Sequence, residues 1–184
     1  KAQKKKENFE ELIRNYYRCL LGVDDNIGKV LNELETSGLM ENTIVILSSD
    51  NGFFLGEHGF FDKRLMYEPS IRIPLFVSWP GVVKPGSSNK SEMVLNVDLA
   101  LTILEMAQSR REFTTHGQSF LPLLEGQTVP WRSSFYYEYF EAPQGHCVLK
   151  NRGVRTKDWK LIQYYELPKS WGEADEWELY DLKS

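Results

Sequence analysis

The sequence predicts an α/β fold followed by a small antiparallel β-sheet. Three features point that way. Stretches near the start repeat apolar residues at three- and four-residue spacing. A short β-branched apolar run follows at residues 43–47 and ends in polar residues. After Gly126 the chain turns to short, aromatic, partly alternating segments.

Residues 8–21 and 23–36 read as two helices of a helical hairpin. Phe9, Leu12, Ile13, Tyr16, Tyr17 and Leu20 form one stripe, and Ile27, Val30, Leu31 and Leu34 another. Asp24 and Asp25 lie between them, where capping is the natural role, and Gly38 is the expected stop. The run Thr43-Ile-Val-Ile-Leu47 suits a strand buried on both faces of a parallel sheet. A helix followed by such a strand is half of a βαβ unit. Residues 73–78 are a second strand candidate, stopped by Trp79-Pro80-Gly81, and residues 82–91 are a Gly/Pro/Ser-rich loop. Asp98 can cap a helix running to about Gln108. Segments 134–141, 153–156, 159–165 and 177–181 read as antiparallel strands. The expected organisation is residues 1–130 as part of an α/β domain and 131–184 as a small antiparallel subdomain.

Hydrophobic residues make up 41% of the chain, enough for a packed core and too many for global disorder. The net charge of −4 argues against nucleic acid as a partner, which would call for a basic face. The basic cluster Lys1–Lys6 reads as a solvated terminus. No apolar stretch approaches the ~20 residues of a membrane span. The lysine-rich start, without an initiating Met or a signal peptide, reads as the cut end of a longer sequence. Cys19 and Cys147 form neither a CxxC motif nor a zinc-ligand spacing, and they leave disulfide formation and redox compartment open.

The chemistry-bearing segment runs from Ser49 to Arg64. Asp50 and Asn51 place a carboxylate and an amide at a strand end, where α/β sheets bind ligands. Both offer oxygen, the donor preferred by hard cations such as Ca²⁺ and Mg²⁺, but a calcium ion takes about six to eight ligands, so others must come from elsewhere. Gly52, Gly56 and Gly59 allow the loop to fold back tightly, which could bring His58 and Lys63 over the metal. A cation beside a hard metal is a plausible anion clamp. Each residue also has an ordinary reading. Asp-Asn-Gly is a common turn, Lys63 could be a surface lysine, and His58 a satisfied loop histidine.

Residues 43–81, TIVILSSDNGFFLGEHGFFDKRLMYEPSIRIPLFVSWPG, resemble the calcium-dependent sulfatases. In that family a buried strand runs into S-D-N-G, then G-E-H-G, D-K and R-V/I-P-L. The similarity continues through Tyr17 to Gly38, Asn96-Val-Asp-Leu-Ala100, residues 116–126, Arg152-Gly-Val-Arg-Thr156, Trp159-Lys-Leu-Ile162 and Glu178-Leu-Tyr-Asp-Leu182, so it covers nearly the whole chain. It implies an alkaline-phosphatase-like fold, a mostly parallel sheet between helices followed by the small antiparallel sheet. It implies Asp50 and Asn51 as ligands of Ca²⁺, Lys63 on a sulfate oxygen, and His58 beside the sulfate. Asn51, where two-zinc relatives carry His, suits oxygen-ligated calcium. His146, Arg152 and Arg155 lie where the family's C-terminal subdomain approaches its substrate, a sulfated small molecule or glycan; His146 could equally be an exposed turn residue. Trp159, Trp171 and Trp177 could stack on a sugar or pack a small core. The resemblance also implies a periplasmic, secreted or lysosomal location.

The family's nucleophile is a formylglycine made from Cys or Ser in C/S-x-P-S/A-R, which attacks sulfur when hydrated. Neither Cys19 nor Cys147 sits in that motif, and the family's first Asp-Asp metal pair is absent too. The chain therefore reads as the C-terminal portion of a sulfatase. A phosphodiesterase or phosphonate hydrolase of the same superfamily, and a non-catalytic carbohydrate-binding fragment, are the alternatives. The 184 residues alone, assayed on a chromogenic aryl sulfate with excess calcium, should show no turnover. Activity that persists through purification and disappears in Asp50→Ala would overturn this.

Overall fold

In the computed structural model, which describes residues 2–109, 114–141, 148–166 and 175–183, the first segment is one continuous helix, α1 (Ala2–Thr36), where the periodicity predicts two. The two apolar stripes are in phase across Gly22, and a glycine inside a helix costs only about 1 kcal/mol relative to alanine. Asn26 Nδ2 also donates to the Gly22 carbonyl at 2.6 Å. Asp24 and Asp25 therefore lie in the helix interior and not at a cap, and the lysine-rich start is helical backbone from Ala2 onward. The end is as expected. Gly38 takes φ 69, its N–H bonds to the Glu35 carbonyl at 3.0 Å, and the Leu39 N–H bonds to the Leu34 carbonyl at 2.8 Å. This two-bond closure satisfies carbonyls the helix leaves open.

The remaining elements are β1 (Val45–Ser48), β2 (Phe54–Leu55), β3 (Phe61–Asp62), α2 (Glu68–Ile71), β4 (Leu75–Ser78), α3 (Leu99–Met106), α4 (Leu121–Leu124), β5 (Ser134–Tyr139), β6 (Asn151–Thr156), β7 (Trp159–Tyr164) and β8 (Glu176–Asp181). β1 hydrogen-bonds to β4. Burial of β1 on both faces, expected from its composition, is not reached: Leu47 is exposed and its neighbours are half-buried. Among the described residues β4 is its single strand neighbour. The chain forms two compact units, Lys1–Leu47 with Phe76–Val82, and Ser48–Leu75 with Val83–Ser184.

In the second unit, β5, β6, β7 and β8 pair in that order, each antiparallel to the next. Alternation splits the sheet into two faces. One presents three rows: Phe135, Arg155, Lys160 and Tyr180; Tyr137, Gly153, Ile162 and Glu178; and Tyr139, Asn151, Tyr164 and Glu176. The segment Leu65–Tyr67 and Ile71 pack on this face, and Met66, Ile162 and Tyr164 form the buried cluster there. The opposite face carries a row of exposed apolar residues, Tyr136, Val154, Leu161 and Leu179.

Ahead of the sheet, Asp98 ties four pieces of chain together. Its carboxylate is fully buried and does not cap α3 as the sequence suggested. It accepts the Leu95 N–H and the Gln118 N–H at 2.8 Å each and a two-pronged bond from Arg132, at 2.5 and 2.7 Å. A buried carboxylate needs this many donors to offset lost hydration, and the fork of arginine supplies two in one plane. Thr102 continues the network by accepting the Phe120 N–H at 3.0 Å.

Gly153 marks the tightest seam. A Cβ there would lie 2.3 Å from the Leu161 carbonyl oxygen and 2.5 Å from Met66 Sδ. Gly153→Ala should therefore destabilise the protein by about 1–3 kcal/mol through overpacking. Val154→Ala on the exposed face should stay within about 0.5 kcal/mol. Urea denaturation midpoints of the two variants check this, and equal midpoints would contradict it.

Candidate functional site

Asp50 and Asn51 follow directly on β1. Asp50 is exposed; its Oδ1 accepts the Asn51 N–H at 2.9 Å, and its carbonyl accepts Asn96 Nδ2 at 3.2 Å. The Asn51 amide is oriented by its own backbone, because Nδ2 donates to the Gly52 carbonyl at 2.6 Å. That leaves Oδ1 to accept Lys63 Nζ at 2.7 Å. Two residues twelve apart in sequence are thus in direct contact, as a folded-back loop requires.

Gly52 has a reason the sequence did not reveal. Its φ is not positive. Instead a Cβ there would lie 2.1 Å from the Pro69 carbonyl oxygen and 2.9 Å from that of Arg72, and the Gly52 N–H bonds to the Ser70 carbonyl at 2.7 Å. The glycine permits close approach of α2, not an unusual turn.

Residues 56–64, from the end of β2 past β3, are where backbone strain gathers. Gly56 and Gly59 take positive φ, as expected, but so do His58 at 56°, Asp62 at 85° and Arg64 at 111°. Left-handed conformations of residues other than glycine persist only where surrounding contacts hold them. Below the loop, Phe54 is buried against Phe60 and Tyr67, with centroids 5.7 and 6.2 Å away. His58 is exposed and its ring lies 5.4 Å from that of Tyr67. Among the described residues no hydrogen bond joins it to Asp50, Asn51 or Lys63. Arg64 pairs through its guanidinium with Asp62. Its N–H donates to Ser70 Oγ at 3.2 Å, and its carbonyl accepts Asn151 Nδ2 at 3.0 Å and the Tyr137 hydroxyl at 3.2 Å. Neither the strain at Asp62 and Arg64 nor the contacts of Ser70 has a signature in composition or spacing.

α2 is fastened to the sheet through Glu68. Arg155 Nε donates to its carboxylate at 2.9 Å and Lys160 Nζ at 3.4 Å. Lys160 is almost wholly buried and lies 5.6 Å from the rings of both Tyr67 and Tyr180. Burial pushes the Lys160 ammonium below its usual range, with Glu68 opposing. Burial would push the Glu68 carboxyl up, but hydrogen bonds and charge from Arg155 and Lys160 outweigh it and hold it low. The Tyr67 hydroxyl is pushed up by burial and by its 2.6 Å bond to Glu178.

The other sequence candidates are placed as follows. Arg155 is engaged by Glu68. Arg152 bonds Gln163 at 2.7 Å and lies over the Tyr165 ring. His146, Cys147 and Trp171 lie outside the described residues. Trp159 and Trp177 are exposed, and Cys19 is exposed and unpaired.

Comparison with known proteins decides the family. The sulfatase family model matches residues 1–109, and the model for the C-terminal region of N-sulphoglucosamine sulphohydrolase matches residues 56–184. The chain belongs to the sulfatase family. It is 44% identical over 179 residues to an N-acetylglucosamine-6-O-sulfatase of Bacteroides thetaiotaomicron, covering 96% of this chain and 31% of that protein. It is 38% identical over 134 residues to the human N-acetylglucosamine-6-sulfatase, covering 71% of this chain and 24% of that one. The chain thus spans a third or less of the length of these relatives. A solved structure of a protein in complex with its substrate, D-glucosamine-2-N,6-O-disulfate, superposes with a TM-score of 0.81 at 44% identity, over 89% of this chain and 32% of that one. A phosphonate monoester hydrolase from Silicibacter pomeroyi superposes with a TM-score of 0.73 at 23% identity and shares the fold. The sulfatase chain therefore has the alkaline-phosphatase-like α/β fold with its C-terminal antiparallel sheet, as the sequence predicted.

The Glu68 contacts carry a pH dependence. A carboxyl held low on folding contributes stability that is complete above its unfolded value, 4.5, and that is lost as pH falls through the lower folded value. Thermal melts from pH 7 downward should therefore show an acid loss that is smaller in Glu68→Gln, whose melting temperature should also be lower at neutral pH. An identical acid limb in both proteins would exclude Glu68 as its source.

Proposed function

We propose that the protein containing this chain hydrolyses sulfate esters, and that its substrate carries a 6-O-sulfated glucosamine or N-acetylglucosamine unit. The carrying observation is the contact between Lys63 and Asn51, which puts an ammonium beside an oxygen donor at the mouth of a folded-back loop. The names of the relatives at 44% and 38% identity, and the sulfated glucosamine in the structure at 44% identity, support the substrate class.

The donor set fits a hard cation. Asp50 offers a carboxylate, and the Asn51 amide oxygen has two lone pairs, one of which Lys63 uses. Among the described residues no group of three or more His, Cys, Asp or Glu side chains could hold a metal ion. Asp50 and Asn51 are thus two of the six to eight oxygens that calcium takes. When bound, calcium would supply Lewis acidity to a sulfate oxygen. In this reading Lys63 binds a second sulfate oxygen as a compact point charge. The strained loop keeps its ammonium in place before substrate arrives, so little reorganisation is needed when charge develops. His58, at the exposed tip of the same loop, stands beside the sulfate and the leaving alcohol, where an imidazole can hold or give a proton.

Lys63→Ala in the full-length protein should lower kcat by about 10²–10³, the scale of losing one preorganised stabilising contact. Lys63→Arg should recover part of the loss, since a planar fork is not a compact ammonium. Both are measured on a 6-O-sulfated N-acetylglucosamine, with folding checked by thermal melt. Near-normal kcat/KM in a folded Lys63→Ala protein would rule out the anion clamp.

A further inference from the structure

Ser70 touches both halves of the candidate site, with two different atoms. Its carbonyl oxygen accepts the Gly52 N–H at 2.7 Å, one residue from Asn51. Its hydroxyl oxygen accepts the Arg64 N–H at 3.2 Å, one residue from Lys63. The residue is only 5% exposed, so water cannot readily replace either bond. Arg64 takes φ 111, a positive value that a residue other than glycine keeps only where contacts hold it. Its carbonyl is held from the sheet by Asn151 and Tyr137, and its N–H is held by Ser70.

We infer that Ser70 is a positioning residue that fixes Asn51 and Lys63 relative to each other, and through them the site that grips the sulfate. This rests on the sulfate-ester reading above. Without the hydroxyl, the Arg64 N–H loses this acceptor in a buried setting, and the peptide between Lys63 and Arg64 can turn toward ordinary φ. The Lys63 side chain departs from that peptide, so the ammonium moves off Asn51. A displacement of about 1 Å in a group aimed at a reacting centre can cost on the order of 10²-fold in rate.

The test uses the full-length protein with Ser70→Ala, Ser70→Cys, Lys63→Ala and the Ser70→Ala/Lys63→Ala double variant. Cysteine fills the space of serine with a weak acceptor, so Ser70→Cys separates loss of the hydrogen bond from loss of volume. Two quantities are read: kcat and KM on an aryl sulfate, and affinity for inorganic sulfate from its shift of the thermal melt. Ser70→Ala and Ser70→Cys should each lower kcat/KM by about 10- to 100-fold and weaken inorganic sulfate. In the Lys63→Ala background, Ser70→Ala should cost less than about twofold more, because the residue it positions is gone. Unchanged kcat/KM in Ser70→Cys would overturn the inference. So would an equal loss with and without Lys63, which would make Ser70 a general scaffold. If Lys63→Ala itself leaves kcat/KM and sulfate affinity intact, the sulfate-ester reading fails and the inference with it. If Lys63→Ala is crippled and the Ser70 variants are not, only the positioning role fails.

Discussion

Lys160 keeps an ammonium group inside the seam between a helix and a sheet, and Glu68 is what makes that tolerable. Burial disfavours the charge; the Glu68 carboxylate and the faces of Tyr67 and Tyr180 offset it. Glu68 in turn sits on α2, a helix of four residues that could not persist alone. The ion pairs with Arg155 and Lys160 hold one side of α2 to β6 and β7. The other side is where Gly52 comes so close that no side chain fits, and where Ser70 holds Arg64. The helix on which Gly52 and Arg64 rest is therefore fastened by a carboxylate that contacts Arg155 and Lys160.

That dependence explains which parts of the molecule could be read from sequence. The four strands of the C-terminal sheet were legible because three of them carry aromatic residues in partly alternating patterns and all lie between turn signals, and they form within two residues of their expected bounds. Gly38 was legible as a helix end because its role is local. Long-range effects were not. The phase of two apolar stripes across Gly22 outweighed the glycine between them, so a hairpin became a single helix. The apolar run of β1 promised burial that depends on partners a local pattern cannot supply. Asp98 looked like a helix cap, the common role of an aspartate before an apolar helix, but its carboxylate turns inward to Arg132, thirty-four residues later.

The site divides along the same line. Asp50, Asn51 and Lys63 each have an ordinary reading when taken singly, and it was the resemblance of residues 43–81 to the sulfatase pattern that singled them out. The structure brings Asn51 and Lys63 into contact. What holds them was hidden. Ser70, Tyr137 and Asn151 act through backbone atoms of Arg64, and a residue that bonds a distant carbonyl or N–H leaves no trace in its own neighbourhood. The strain at Asp62 and Arg64 was equally invisible, since neither is a residue type that favours positive φ in the way glycine does.

The identity of residue 51 also decides how much charge Lys63 can offer. An amide oxygen takes one of the three ammonium hydrogens and leaves the full positive charge in place. A carboxylate at the same 2.7 Å distance would orient the lysine as well but would cancel its charge, and an incoming anion would have to compete with it. Asn51 thus does two jobs that a single acid could not combine. It fixes the ammonium by a neutral hydrogen bond, and in the proposed reading its second lone pair serves a hard cation. In the same reading the negative charge that such a cation prefers comes one residue earlier, from Asp50, which is exposed. If the proposed site holds, separating the orienting acceptor from the charged ligand would let two positive groups converge on one anion without either being neutralised by the protein that holds them.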